Sequence, residues 1–215
     1  GVRIFRFDYP ARIPSSQTTL RFRWLANPLF YQLFARQIGR VARRLSKETG
    51  EPLDILHAQN KYALPGTWLA SRRLAIPVVY TIRDTSMICP LGQCFIQYQG
   101  GVHHRCGQWG HWWRYCRPTY IDNYPPGRRR NLKVNASLIW LAMDTRIRRW
   151  FFHRTDGIVG VSEGILRVYR EAAGAAPGRA GLLGGLPTQA IYNLPPEESA
   201  APGDQVEALR HRLGL

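Results

Sequence analysis

Apolar and polar positions along the chain form a pattern that predicts strands separated by helices. Short apolar runs predict five strands, at residues 2–7, 53–56, 76–82, 157–161 and 189–193. Apolar residues at helical spacing predict helices between these strands, with long ones at 27–50 and 132–153. Strands that alternate with helices indicate an α/β fold with a mostly parallel sheet and right-handed crossovers.

The first long helix has clear start and stop signals and one basic face. Asn27 can cap it, Pro28 suits its first turn, and Gly50 marks its end. Its polar face carries the cations Arg36, Arg40, Arg43, Arg44 and Lys47. Such a face is usually just solvated, but a basic amphipathic helix also suits an anionic membrane surface.

Polar residues follow two neighbouring predicted strands at the point where each strand ends. These residues are His57, Gln59, Asn60 and Lys61 after one strand, and Arg83, Asp84, Thr85 and Ser86 after the next. Open α/β sheets place their ligands at the carboxyl ends of parallel strands, so the two clusters are predicted to form a binding site. An Asp after a strand also often caps a turn, and both roles stay open for Asp84.

The segment 83–127 shows no sustained periodicity and is predicted to be a long irregular insertion. It contains every cysteine of the chain, at Cys89, Cys94, Cys106 and Cys116. The spacing between Cys89 and Cys94 fits a pair of zinc ligands, whereas the spacing between Cys106 and Cys116 does not. Three chemical states of the cysteines therefore stay open: thiols, a structural zinc site completed by histidines, and disulfides. Disulfides are unexpected in a cytosolic protein.

Two further strand ends carry candidate residues. Ser162 is predicted to cap the helix that follows the fourth strand, with Glu163 in its first turn beside the positive end of the helix dipole. Asn193 ends the last predicted strand and is expected to mark an interdomain hinge. We include all three among the candidate substrate-binding residues.

The last residues of the chain predict a linker followed by the start of a second domain. Residues 197–203 have the composition of a linker. Asp204 and Glu207 then form a capping-box pattern at the start of a helix. We therefore expect one domain at 1–195, and a linker with the first helix of a missing domain at 196–215.

Composition sets the broad class of protein. A hydrophobic content of 45% excludes general disorder, and no apolar run is long enough for a helix that spans a bilayer. The apolar run at residues 1–8 is too short for a signal peptide, so a cytoplasmic location is expected. The net charge of +16 favours anionic partners, such as phosphorylated ligands or the inner membrane surface, although Arg-rich codon usage would also produce it.

Several short motifs, in their order and spacing, resemble the N-terminal half of glycosyltransferases of family 4. The motifs are DILHAQ at 54–59, PVVYTIRD at 77–84, CPLG at 89–92, TDGIVGVS at 155–162 and AIYN at 190–193. The resemblance implies a GT-B architecture, in which this chain would be a Rossmann-like, doubly wound, mostly parallel domain. Family members more often carry His where this chain has Arg83.

The resemblance also implies a function. This half would bind a cell-surface glycan or a lipid-linked acceptor, and a C-terminal domain would bind the nucleotide-sugar donor. Transfer would retain the anomeric configuration and require no cofactor, with helix dipoles and basic side chains stabilising the diphosphate. Arg83 and Asp84 would be the catalytic candidates, and the fragment alone would be inactive. No nucleic-acid partner is expected.

Two other classes of protein remain open. A basic nucleic-acid-binding protein with a zinc-stapled loop would need a concentrated basic stripe and stacking aromatics. The arginines are instead scattered through all predicted elements, and no nucleic-acid-binding motif is present. The other alternative is a degenerate, non-catalytic binding domain.

Overall fold

The computed structural model describes residues 4–6, 27–90, 108–122, 132–172, 181–192, 207 and 210–212. Its strands form one parallel sheet, β1 at Leu56–Ala58, β2 at Val78–Ile82, β3 at Gly157–Gly160 and β4 at Thr188–Ala190, which lie side by side in that order. Because the strands are parallel, their carboxyl ends share one edge of the sheet, which we call the carboxyl edge. The predicted α/β class with a parallel sheet is confirmed.

The described helices lie between the strands along the chain, except the first, which precedes β1 and packs on the second helix. They are α1 at Asn27–Thr49, α2 at Ala63–Leu74, α3 at Trp109–His111, α4 at Arg117–Asp122, α5 at Leu132–Phe152 and α6 at Glu163–Glu171. The predicted stop of α1 is confirmed, since Gly50 has a φ of +73° in the left-handed region that glycine adopts without steric cost. No helix in the described ranges has the length and apolar character needed to cross a bilayer.

The insertion at 83–127 is not irregular throughout, and this correction has a physical cause. A π-helical turn at Trp112–Cys116 joins α3 to α4, so residues 109–122 are continuously helical. A π turn contains one extra residue, which shifts the phase of the side chains and hides the helical period in the sequence. Trp112 is buried against Leu138 and Ala142 of α5.

For three of the predicted strands, the structure differs from the predicted position. The strand predicted at 53–56 lies at β1 instead, because ladder pairing begins where the Leu56 amide donates to the Pro77 carbonyl. The last strand ends before Asn193, which lies outside the described residues. For the strand predicted at 2–7, residues 4–6 are not in a strand, and the others lie outside the described residues.

The main core lies on one face of the sheet. Tyr80 and Ile82 of β2 are buried there with Phe152, Leu166 and Tyr169, and the Phe152 ring lies 5.9 Å from the Tyr80 ring, edge to face. Burial of side chains of this size stabilises the fold by about 1.5–3 kcal/mol each. The core therefore fixes β2 relative to the ends of α5 and α6.

Small residues let α1 approach α2 closely. Ala35 and Ala42 of α1 are buried, and Gly66 of α2 is in direct contact with the α1 backbone. A Cβ at Gly66 would lie 2.7 Å from the Phe34 ring and 3.0 Å from the Tyr31 carbonyl oxygen. This close contact places the start of α2, which follows β1, at a fixed position on the carboxyl edge.

Candidate functional site

Two of the predicted clusters meet at the carboxyl edge. The Arg83 guanidinium, just after β2, donates a hydrogen bond of 2.9 Å to the Gln59 side-chain oxygen, just after β1. Arg83, Asp84 and Gln59 are all exposed. The structure thus brings together predicted residues that are 24 positions apart, on an open surface that a ligand can reach.

The turn after β2 is held from two sides. The Tyr169 hydroxyl of α6 donates to the Asp84 carbonyl at 2.9 Å and accepts from the Met87 amide at 3.3 Å. Arg149 of α5 donates to the carbonyls of Met87 and Ile88, and burial lowers its pKa to about 10. These contacts fix the backbone that presents Arg83 and Asp84.

The Asp84 carboxylate has a structural role in the same turn. Its Oδ1 accepts a hydrogen bond of 2.8 Å from the Ser86 amide, as a turn-capping Asp does. The Ser86 side chain is buried rather than directed to the surface. The turn-capping role that was open for Asp84 is therefore observed, and a role toward substrate remains a prediction.

Two of the predicted residues at the end of β1, His57 and Asn60, form hydrogen bonds with the sheet and with the start of α2. His57 Nε2 lies 2.5 Å from the Thr81 hydroxyl of β2, so the imidazole is tied to the sheet. The Asn60 side-chain oxygen accepts from the Tyr62 amide at 2.9 Å, and its carbonyl accepts from the amides of Ala63 and Leu64. Asn60 thus shapes the entry into α2, and its predicted contact with substrate stays a prediction.

Lys61 belongs to a polar cluster that the sequence interpretation missed. Its ammonium lies 5.3 Å from the centre of the Tyr62 ring, and the Arg148 guanidinium of α5 lies 5.4 Å from the same ring. Burial lowers the pKa of Lys61, and the charge of Arg148 lowers it further, whereas Asp84 and Asp144 act in the opposite direction. Lys61 is thus a half-buried cation between the carboxyl edge and α5.

Arg148 is fully buried in this cluster. Its Nε donates to Asp144 Oδ2 at 2.9 Å, and Asp144 Oδ1 accepts from the Tyr31 hydroxyl of α1 at 2.9 Å. Nη1 of Arg148 has no hydrogen-bond partner within the described ranges. The sequence did contain a signal, because Asp144 and Arg148 lie four residues apart on the stripe of α5 that also buries Leu138 and Phe152.

The residues after β3 act mainly on structure. The Ser162 hydroxyl accepts from the Ile165 amide at 3.2 Å, so the predicted cap of α6 is confirmed. Glu163 forms an exposed ion pair of 3.0 Å with Arg170, and its amide lies 3.4 Å from the Tyr192 hydroxyl. Contacts of Ser162, Glu163 and Asn193 with a substrate stay predictions.

Two of the predicted metal ligands line the same cavity. Cys89 and Cys116 line a cavity of about 40 Å³ together with His111 and Arg149. No group of three or more metal-binding side chains occurs among the described residues, and Cys94 and Cys106 lie outside them. A structural zinc at these cysteines therefore stays a prediction.

The fold and this site together define a Rossmann-like domain with a polar carboxyl edge. Residues 2–182 match the family model Glycosyltransferase Family 4, which covers well over half of the chain. The chain therefore belongs to glycosyltransferase family 4, and the resemblance drawn from its motifs is confirmed. No curated protein and no solved structure matches it.

Proposed function

We propose that this chain is the acceptor-binding half of a retaining glycosyltransferase that uses a nucleotide-sugar donor. The acceptor would be a cell-surface glycan or a lipid-linked saccharide, and a second Rossmann-like domain would bind the donor. The observation that carries the proposal is the hydrogen bond from Arg83 to Gln59, which joins two strand ends into one exposed polar surface. Membership in family 4 supports the general activity.

Each residue of this surface has a chemical role in the proposal. Arg83 binds a phosphate oxygen or an acceptor hydroxyl, because a guanidinium presents several donors in one plane. Asp84 accepts a hydrogen bond from an acceptor hydroxyl with the carboxylate oxygen that does not cap the turn. The positive charge of Lys61 adds to the field that stabilises the departing diphosphate. The reaction needs no bound cofactor in this scheme.

Transfer assays with single variants test this proposal. The protein, expressed from its complete reading frame, is incubated with a panel of nucleotide sugars, and transfer and donor hydrolysis are both measured. We expect Arg83→Gln to lower kcat/KM about a hundredfold, as the loss of one charge-stabilising donor does in other enzymes. Arg83→His, which restores the residue more usual in the family, should retain more activity than Arg83→Gln.

The control is Arg72→Gln, an exposed arginine of α2 outside the site. It removes the same charge and should leave kcat/KM unchanged. A protein that neither binds nor hydrolyses any nucleotide sugar would overturn the proposal. Equal losses in Arg72→Gln and Arg83→Gln would show that net charge, not the carboxyl edge, matters.

We also propose that the domain works at the cytoplasmic surface of an anionic membrane, with α5 toward the lipid. Apolar side chains at helical spacing remain exposed on α5, namely Ile139, Met143, Ile147 and Trp150. Arginines flank them, with Arg154 3.8 Å above the Trp150 ring. Tryptophan beside cations on an apolar stripe suits the interface of an anionic bilayer.

Flotation with lipid vesicles tests the membrane proposal. The chain should float with vesicles that contain phosphatidylglycerol and not with pure phosphatidylcholine. Met143→Gln combined with Ile147→Gln should reduce flotation severalfold, because it removes apolar contact without changing charge. Unchanged flotation of this variant would exclude the α5 stripe as the contact surface.

A further inference from the structure

A groove lined by arginines lies between α1 and α2, away from the carboxyl edge. It has a volume of about 250 Å³ and is lined by Arg36, Arg40 and Arg43 of α1 and by Arg73 of α2, with Ala35 and Gly39 among the small residues at its surface. Arg73 lies in the last turn of α2, a helix that begins at the carboxyl edge and runs away from it. The groove is therefore a separate site from that of Arg83.

The arginines of this groove are positioned by neutral contacts. Arg73 donates to the Gln32 side-chain oxygen at 3.0 Å, and Arg40 donates to Gln37 at 3.3 Å. The guanidinium nitrogens of Arg43 lie 3.8 Å from the position of a Cβ on Gly39, so the side chain of Arg43 folds back over the helix. Glutamine oxygens orient a guanidinium without neutralising its charge.

No carboxylate pairs with these four arginines in the described part of the chain. The nearby Glu48 is paired with Arg44, at 2.6 Å, which lies outside the groove. A cation in the last turn of α2 interacts favourably with the helix dipole, which accounts for the position of Arg73 but not for the three arginines of α1. Four guanidinium groups that no described carboxylate neutralises, around one concave space, instead match an oxyanion that accepts several hydrogen bonds.

We propose that the arginine groove of α1 and α2 binds a phosphate group, either the phosphate of a lipid headgroup or that of a soluble phosphate compound. Arg40 and Arg73 approach it from opposite helices, and Arg43 approaches it over Gly39. The groove needs neither the donor nor the acceptor of the transfer reaction. Its test is therefore independent of the transfer reaction.

The experiment measures phosphate binding by calorimetry and by NMR of the arginine Nε–H groups, at constant ionic strength with chloride as the reference anion. Inorganic phosphate and glycerol phosphate form one arm, and phosphatidylglycerol vesicles form the other. We expect saturable binding that Arg40→Gln with Arg73→Gln weakens by about tenfold or more, because two charge-assisted donors are lost. Binding in the vesicle arm alone would assign the phosphate to a lipid headgroup, provided that Arg40→Gln with Arg73→Gln weakens it and that it persists in the α5 variant Met143→Gln with Ile147→Gln.

Two further variants make the result specific. Arg72→Gln with Arg167→Gln removes two exposed charges outside the groove and should leave phosphate affinity unchanged. Gly39→Glu keeps all four arginines and places a carboxylate at the groove, so it should abolish binding while circular dichroism shows an intact fold. The proposal fails if the control variant weakens binding equally, or if no arm shows binding that depends on the groove.

Discussion

At the scale of the residue, His153 shows how neighbouring charges change a side chain. It directly follows α5, where burial, Arg149 and Arg154 together lower its pKa below the ordinary value of 6.5. The unfolded chain therefore binds the proton more readily than the folded chain, so stability decreases as the pH falls from 6.5 toward the folded pKa. Well above pH 6.5, His153 is neutral in both states and contributes no pH dependence.

An NMR titration of the His153 ring measures this directly. We expect a midpoint below 6.5. Arg154→Gln should shift the midpoint upward because it removes one of the nearby positive charges. His153→Gln identifies the resonance and should weaken the acid-side loss of stability. A midpoint at or above 6.5 in the unmodified chain would contradict the prediction.

Ala75 is a second residue whose local conformation has a measurable cost. It ends α2 with φ +54° and ψ +37°, in the left-handed region where a Cβ is unfavourable. Ala75→Gly should therefore raise the free energy of unfolding by about 1 kcal/mol. Ala70→Gly, inside the same helix, should lower it by about 1 kcal/mol or more. Urea unfolding of both variants checks the opposite signs.

At the scale of the element, the contact between α1 and α2 depends on one glycine. A side chain at Gly66 would clash with the Phe34 ring and the Tyr31 carbonyl oxygen, whereas a Cβ at Gly39 would meet only Arg43, at 3.8 Å. Gly66→Ala should therefore destabilise the fold by about 1–3 kcal/mol through overpacking. Gly39→Ala should be neutral or stabilise it by up to about 1 kcal/mol.

Thermal and urea unfolding of these two variants test the prediction with matched chemistry. Each variant adds a single methyl group to a helical glycine, and only the surroundings differ. If Gly66→Ala proved as stable as Gly39→Ala, the two helices would have to separate more easily than their backbone contact indicates.

The elements also show how far the sequence could predict this fold. The end of α1 at Gly50 and the cap of α6 at Ser162 follow from local chemistry and are as predicted, and α1 begins at Asn27 itself, one residue before the start expected for a cap at Asn27. The helical part of 109–122 was not predicted, because its π turn interrupts the helical period and its Trp112 packs against the distant helix α5. The position of β1 was missed because ladder pairing, not apolar content, sets strand ends.

In the candidate site, too, part of the arrangement could be predicted from the sequence and part depends on contacts between distant elements. The meeting of Gln59 with Arg83 was predictable, because parallel strands bring their carboxyl ends to one edge. The cluster around Arg148 was not predicted, because it joins side chains from α1, the start of α2 and α5. Contacts between elements so distant in sequence depend on helix packing, which a single sequence does not specify.

At the scale of the whole molecule, a buried ion pair within α5 is hydrogen-bonded to α1 through Tyr31. The side chains of Asp144 and Arg148 are 1% and 0% exposed, and the Tyr31 hydroxyl donates to Asp144 from the other helix. Desolvation of two charges offsets most of their attraction, so the pair itself adds little net stability. Each partner nevertheless depends on the other, because a single buried charge has no compensation.

A double-mutant cycle with Asp144→Leu and Arg148→Met tests this coupling. Each single variant should lower the free energy of unfolding by about 3–5 kcal/mol, because it leaves one buried charge unpaired. The double variant should cost less than either single change, since apolar side chains then fill the same space. Additive losses in urea unfolding would contradict the prediction. Tyr31→Phe, with an expected loss of about 1.5–3 kcal/mol, reports the hydrogen bond to the charged Asp144 separately.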